Sequence, residues 1–533
     1  MGGQGTLEPL GQRTVLTLSE AAGFVRVSEK TLGELARGAK IPCQKVGREW
    51  RFLRPAVEAW LARNNLGQST HESLLTAPID VVNSTGLRLS SGRKPANKDE
   101  GFGDTAFTLN QSEPMHRWVP WIAGFSSAFV AQVLDCANGR APAKVTVLDP
   151  FAGVGTTVVE ALKRGHKAIA FEINPYAALV VRVKVACLLE DLSQIASLRR
   201  RFLKYLTSRK NKAPRSLPPA GFKSRVPFFS APVERKVLHA IDFVSSEKEQ
   251  WLCDVFKVAL GAILVDVSNY SYEPSLGRKS TVGKADVLDA DVGALVAAKL
   301  SQIAEDGAKV RFSVLAKNFI PDARVFDVSY FEKGQSIKPH SIDYVITSPP
   351  YLNNYHYIRN TRPHLYWLGL VGGSVDLHKM EHASFGTFWQ TVRSGPLLEL
   401  AFKDKQLEAQ LDVLRTTNEG RGVYGGAGWA NYAVAYFNDC WRFCTSTLGL
   451  MRPGGSVVVV IGNNILQGVE FKTDQIFAGI ASQCGFEVVA LHQVRAKRTG
   501  SSIVNSSVRR SNGESKVMLY ESAVELRSPA TRN

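Results

Sequence analysis

Two short strings in this 533-residue chain combine residue types that can do chemistry together. The first is Ser348-Pro-Pro-Tyr351, which follows Thr347 and the apolar run Ser341-Ile-Asp-Tyr-Val-Ile346. Two consecutive prolines fix φ and remove two backbone donors, so the carbonyls around them keep a set direction and find no local partner. A planar amino group placed there donates its two hydrogens to Ser348 Oγ and to the Pro349 carbonyl. Its nitrogen is drawn towards sp³ character, and a lone pair is freed for in-line attack. The amine is neutral, so no strong base is required. Tyr351 adds an aromatic face for stacking.

The second string is Asp149-Pro-Phe-Ala-Gly-Val-Gly155, placed directly after the strand-like Lys144-Val-Thr-Val-Leu148. Gly153 and Gly155 permit a tight turn that a ligand can approach closely. Residues 156 to 164 read as a helix with Val158, Val159 and Leu162 on one face, closed by Gly165. A second strand, Lys167-Ala-Ile-Ala-Phe171, delivers Glu172, where a nucleotide-type βαβ unit keeps a carboxylate for ribose hydroxyls. A dinucleotide site would satisfy this spacing too. The turn, however, is not Gly-x-Gly-x-x-Gly, and the acidic Asp149 at its start disfavours a pyrophosphate and suits a cationic ligand.

On these residues the chain resembles the amino-methyltransferases of DNA, whose first motif has the form Asp-Pro-Phe-x-Gly-x-Gly-Thr-Thr. The resemblance implies S-adenosylmethionine as cofactor. Asp149, Pro150, Phe151, Ala152, Gly153, Gly155 and Thr156 would surround its amino-acid part, and Glu172 its ribose. Asp327, after Ala323-Arg-Val-Phe326, would accept from its adenine amino group. Phe125, in the stretch His116-Arg-Trp118…Phe125-Ser126…Phe129, falls where such enzymes keep a helix over the methionine end. Ser348, Pro349, Pro350 and Tyr351 become the catalytic string, acting on a base swung out of the duplex. In the continuation Leu352 to Gly369, Asn353, Asn354, Arg359 and Arg362 would touch that nucleotide or its phosphates. Serine before Pro-Pro-Tyr favours cytosine N4. Many Ser-Pro-Pro-Tyr enzymes carry that string before the glycine motif, whereas here it follows, which keeps adenine N6 as the alternative. An RNA base methyltransferase and a non-enzymatic DNA-binding regulator are the remaining readings.

The elements that must position these strings form an α/β fold, expected as a Rossmann-like, seven-stranded class I methyltransferase sheet with helical insertions. Its strands are expected at 144–148, 167–171, 323–326, 341–346, 455–461, 486–490 and 516–520. The catalytic domain then comprises residues 111–189 and 320–525, with a flexible tail at 526–533. A mainly helical insertion at 190–319 and a second at 371–428 are both candidates for target recognition. The first holds the basic run Arg199-Arg-Arg-Phe-Leu-Lys204, and the second holds Gly420-Arg-Gly-Val-Tyr-Gly-Gly-Ala-Gly-Trp429, whose glycines suit a loop near a substrate. A basic loop from Arg495 to Arg510 is a candidate phosphate clamp.

Residues 1–66 read as a small N-terminal winged helix-turn-helix domain, joined by a linker at 67–110. Thr17-Leu-Ser-Glu20 has capping-box spacing, Ser28 can cap a second helix through Arg37, and Cys43 to Phe52 alternates as a wing. Pro55 opens a closing helix. The succession resembles the excisionase-type winged-helix family. By that resemblance Lys30, Thr31 and Arg37 face the major groove, while Arg48 and Arg51 approach phosphates.

A net charge of +17 suits a polyanionic partner, and the resemblance makes that partner double-stranded DNA. It also leaves room for a cognate restriction or defence protein, while the oligomeric state is not legible. The seven cysteines are scattered without a Cys-x-x-Cys pair, which indicates neither a disulfide framework nor a metal site. No run is long and apolar enough to span a membrane, and Met1-Gly-Gly-Gln-Gly-Thr lacks the parts of a secretory signal. The expected location is cytoplasmic, with the nucleoid.

Overall fold

Thr17 and Glu20 cap each other at the start of the helix Leu18–Val25. The Thr17 amide donates to Glu20 Oε2 at 2.9 Å, and the Glu20 amide to Thr17 Oγ1 at 3.3 Å, the reciprocal pairing that their spacing predicts. The computed structural model describes residues 15–25, 27–37, 41–46, 49–53, 57, 89–91, 102, 105–121, 124–137, 144–272, 276–352, 357–497 and 519–530. Met1–Ile79 and Asp80–Asn533 are two units. In the first, Ser28 Oγ accepts from the Thr31 amide at 3.1 Å and so caps the second helix, Glu29–Arg37. The strands Gln44–Val46 and Glu49–Leu53 pair antiparallel as the expected wing. Val15–Leu16 adds a third strand that alternation had not revealed. Leu16, Ala21, Ala22, Leu32, Ala36, Ile41, Phe52 and Val57 fill the core between these elements. Pro55 lies outside the described residues.

The second unit is built on an eight-stranded sheet. In chain order its strands are β1 (Leu89–Ser91), β2 (Thr146–Asp149), β3 (Lys167–Phe171), β4 (Asp322–Phe326), β5 (Ile342–Thr347), β6 (Met451–Gly462), β7 (Glu487–Lys497) and β8 (Leu519–Arg527). Their order across the sheet is β1-β7-β8-β6-β5-β2-β3-β4. β4, β3, β2, β5 and β6 run parallel, and β8 enters antiparallel between β6 and β7. The seven strands from β2 to β8 form the expected Rossmann-like methyltransferase sheet. β1 is an addition, paired parallel to β7 within the stretch expected to be linker. The last strand also runs further than expected, to Arg527 in the anticipated tail, where its pairing with Ser456 holds it.

Alternation along the strands divides the core in two. Val147, Ile346, Val458 and Val460 face one layer, and Leu148, Val345, Val457, Val459 and Ile461 face the other. A sheet covered on both faces reads in sequence as nearly continuous apolar runs, as these strands do. The first layer contains α1 (Thr156–Lys163) and α2 (Pro175–Leu189), and the four main helices of the 190–319 insertion join the same core. Those helices are Ser193–Arg209, Ala231–Val244, Gln250–Leu264 and Val292–Leu315. Asp306 on the last of them ties the insertion down. It accepts from the Met115 amide at 3.0 Å, from Arg117 Nη2 at 2.7 Å and from Trp118 Nε1 at 3.1 Å.

The second layer is dominated by α3 (Gly426–Leu450), against which Phe385, Phe402, Leu407, Leu411 and Leu414 of the second insertion pack. The glycines of that insertion answer to packing. A Cβ on Gly426 would overlap the Leu414 carbonyl, and one on Gly428 the Val423 carbonyl. No residue between 420 and 429 borders the cavity described below, so the expected substrate-side loop is a helix start held close to its neighbour. Among the described residues, no helix is long and apolar enough to cross a membrane.

Candidate active site

Where β2 ends, the chain turns through Gly153 and Gly155 at φ of 52° and 81°. Only glycine enters that region without strain. A Cβ on Gly153 would stand 3.2 Å from Trp121 Nε1, and one on Gly155 3.0 Å from Val181 Cγ2, so close packing requires glycine as well. Gly155 is the cap residue from which α1 starts. Below the turn, Lys184 of α2 donates from Nζ to the Val154 carbonyl at 2.6 Å. This lysine is fully buried, and burial pushes its pKa down to about 7. No pattern in the sequence marked it, because it sits inside an apolar helical run.

Two carboxylates flank the turn. Glu172, one residue beyond β3, accepts from the Gly153 amide at 2.7 Å and from the Asn174 amide at 2.8 Å. Burial raises its pKa to about 7, with the nearby Asp149 charge acting in the same direction and the two amides opposing it. Asp149 is 1% exposed, and its Oδ1 accepts from Thr347 Oγ1 at 2.6 Å and from the Phe151 amide at 3.2 Å. Burial lifts its pKa to about 6. Its other oxygen, Oδ2, is buried without a hydrogen-bond partner among the described residues. A buried acceptor left in this state is costly unless a donor reaches it.

Thr347 closes β5, and Ser348-Pro-Pro-Tyr351 follows at the tip beside the β2 turn, since β5 and β2 are neighbours in parallel register. The two strings border one cavity of about 950 Å³. Such a volume is ample for a nucleoside-sized ligand, as small-molecule sites span roughly 300–1,000 Å³. Pro150, Phe151, Gly153, Glu172, Ile173 and Asn174 form its β2–β3 side, and Ser348, Pro350 and Tyr351 its β5 side. Trp121 and Tyr357 stack on each other at 6.4 Å between centroids along one rim. The opposite wall comes from the second insertion, through Phe385, Thr387 and Phe388, and from Tyr432 and Tyr436 of α3.

Several anticipated residues stand elsewhere. Asp327 is exposed and pairs with Arg182 at 3.2 Å, away from the cavity. The chain enters the lining two residues later, at Ser329 and Tyr330. Phe125 is buried among Phe129 and other core residues, and Trp121 occupies the border in its place. His116 is likewise internal, bonded to Glu160 at 3.0 Å. Asp149, Ala152, Thr156 and Pro349 lie behind the lining and do not border it. Arg359 is exposed on the helix Tyr357–Trp367, outside the cavity, and Arg362 packs over the rings of Phe222 and Tyr366. Asn353 and Asn354 lie outside the described residues, as does most of the basic loop from Arg495 to Arg510.

In the first unit, Lys30 and Thr31 are exposed on the second helix, although the Thr31 hydroxyl is engaged with Ser28 Oγ at 2.7 Å. Arg51 is paired with Glu49 across the wing strand. Arg37 ends the helix, its side chain outside the described set together with Arg48. Among the described residues no cluster of His, Cys, Asp or Glu is arranged to hold a metal ion.

Residues 15–65 match the family described as Helix-turn-helix domain. Over 414 residues the chain is 23% identical to the Type II methyltransferase M.AvaI of Nostoc sp., covering 72% of this chain and 81% of the relative. The M.AvaI protein of Anabaena variabilis matches to the same extent. The Type II methyltransferase M.BsoBI of Geobacillus stearothermophilus is 22% identical over 442 residues, covering 74% of this chain and 83% of that one. The resemblance to methyltransferases carried by the two strings, and the helix-turn-helix reading of the N-terminus, are both borne out.

Proposed function

We propose that the chain is a site-specific DNA methyltransferase that moves a methyl group from S-adenosylmethionine to the exocyclic amino group of a base swung out of the duplex, cytosine N4 in preference to adenine N6. The observation that carries this reading is the meeting of two strings at one cavity. The glycine turn after β2 and Ser348-Pro-Pro-Tyr351 after β5 stand on neighbouring strands, tied by the Thr347–Asp149 hydrogen bond of 2.6 Å.

The residues present fit the cofactor. Glu172 faces the cavity with a carboxylate suited to ribose hydroxyls, and the open glycine turn, with the unpartnered Asp149 Oδ2 behind it, suits a cationic amino-acid part. S-adenosylmethionine supplies, when bound, an electrophilic methyl group on a sulfonium. The protein's task is to hold the attacking nitrogen. Ser348 Oγ and the Pro349 carbonyl accept the two amino hydrogens, which localises the nitrogen lone pair and stabilises the positive charge that grows there. Tyr351 and the aromatic residues across the cavity offer faces to a base removed from its stack. Serine at the head of the string supports cytosine, while the order of the motifs along the chain favours adenine. The exposed Lys30 and Thr31 on the second helix of the N-terminal unit suit a duplex groove, and the wing arginines suit phosphates.

Purified protein with methyl-labelled S-adenosylmethionine is expected to label duplex DNA and leave RNA unlabelled, and digestion to nucleosides is expected to return N4-methylcytosine. N6-methyladenine instead would reverse the choice of base. Label in RNA alone would remove the DNA reading, and with Ser348→Ala undiminished transfer would remove the proposed role of that serine.

A further inference from the structure

Ser348 works as an acceptor only while its own proton is directed away from the cavity, and a chain of buried groups does this. The Tyr351 phenol is hydrogen-bonded to the Ser348 hydroxyl and also to Glu521 Oε1, the latter at 3.3 Å. Glu521 stands on β8 and is buried, and it takes a second hydrogen bond from Thr105 Oγ1 at 2.9 Å. An ionised carboxylate accepts and never donates. The phenol must therefore give its proton to Glu521, which leaves its lone pairs for the Ser348 proton. Ser348 Oγ then has only lone pairs to turn towards the cavity.

The sheet is shaped for this contact. Gly462 of β6 lies opposite Glu521 in antiparallel register. A Cβ on Gly462 would stand 3.3 Å from Tyr351 Cε2 and 2.8 Å from the Tyr520 carbonyl, so only glycine leaves room for the ring to reach the carboxylate. Thr105 comes from a different part of the chain, where the Ser126 amide donates to its carbonyl at 3.0 Å. Three separated segments thus converge on one phenol.

We propose that Glu521 is a positioning residue that sets the polarity of the Glu521–Tyr351–Ser348 hydrogen-bond chain, so that Ser348 meets the target amino group as an acceptor. The inference rests on the reading of Ser348 given above. It assigns the last strand of the sheet, which carries neither motif, a part in orienting the nucleophile.

The test uses the full-length protein, duplex DNA and labelled S-adenosylmethionine, with wild type, Glu521→Gln, Tyr351→Phe and the double variant. Glutamine keeps the size of the side chain and an acceptor for Thr105, so circular dichroism melting is expected to stay close to wild type. Its amide can also donate, and the chain loses its fixed polarity. Glu521→Gln is expected to lower kcat roughly tenfold to hundredfold, the scale of one charge-assisted hydrogen bond, with KM for S-adenosylmethionine within about twofold. Tyr351→Phe breaks the chain at its middle, so adding Glu521→Gln to it should cost little more. Independent, multiplying losses, or an undiminished kcat in Glu521→Gln, would overturn the proposal while wild-type transfer still upheld the reading of the site. Failure of wild type to methylate DNA would remove that reading and this inference with it.

Discussion

The Thr347 hydroxyl donates to Asp149 Oδ1 at 2.6 Å, joining the last residue of β5 to the last residue of β2. One string needs its serine and prolines at a fixed height above the sheet, and the other needs its glycine turn beside them. This bond holds both to one level. It also partly satisfies a carboxylate that is otherwise surrounded by apolar side chains.

Thr347→Val should therefore destabilise the protein by about 1–3 kcal/mol, the scale of a buried polar group losing its partner. Asp149 Oδ1 would keep only the Phe151 amide. Chemical denaturation checks this, and an unchanged midpoint and slope would mean that the bond contributes nothing.

Glu172 has a pKa raised to about 7 by burial, against roughly 4.3 in an unfolded chain. Between those values the folded protein holds a proton that the unfolded chain has lost. Its contribution to stability is thus full below about pH 4.3 and is lost as the pH rises through 7. Ribose hydroxyls donate to the ionised form, so binding of S-adenosylmethionine should release a proton and tighten between pH 6 and 8. Titration calorimetry on wild type and Glu172→Gln should show that slope only in the wild type. Equal slopes in both would move the dependence to another group.

Gly155 and Gly283 both have positive φ, at 81° and 74°, but an added Cβ would meet Val181 at 3.0 Å in the first case and open space in the second. Gly283→Ala should carry only the conformational cost of about 1–2 kcal/mol. Gly155→Ala should cost more than that and weaken cofactor binding as well. Thermal melts of the two variants decide it. A larger loss at Gly283 would contradict the packing argument.

Lys184 is held neutral by burial, with its pKa lowered to about 7. The unfolded chain keeps the proton up to roughly pH 10.4, so this group makes the protein more stable as the pH rises from 7 towards 10. Lys184→Met should flatten the stability curve over that window while releasing the Val154 carbonyl from its anchor. Denaturation midpoints at pH 7 and pH 9 for both proteins provide the comparison, and parallel curves would exclude a buried neutral lysine.

Much of the site was legible because local sequence and local physics coincide there. The glycine turn needs glycine wherever it occurs, and a strand buried on both faces must read as an apolar run. Asp149, Glu172, Ser348 and Tyr351 each follow such a strand directly, so their place at one edge of the sheet was readable from the chain alone. The capping box at Thr17 and Glu20 was legible for the same reason, since its two partners lie within one turn.

What lay beyond reach depends on contacts between residues far apart in sequence. Asp327 had the spacing of an adenine acceptor, yet its carboxylate turns outward to Arg182 on α2, and Ser329 and Tyr330 take the cavity edge. Phe385, Thr387 and Phe388 carry no motif, and they border the site because Phe385 packs against α3 beneath them. Lys184 and Glu521 look like ordinary charged residues until the fold buries one below the glycine turn and sets the other against Tyr351. The sequence by itself determined the two strings and the strands that carry them, because those are set by side-chain type and alternation. Only the tertiary structure decided which distant side chains complete the cavity, because burial and hydrogen-bond partners across the sheet exist only once the strands have been brought into register.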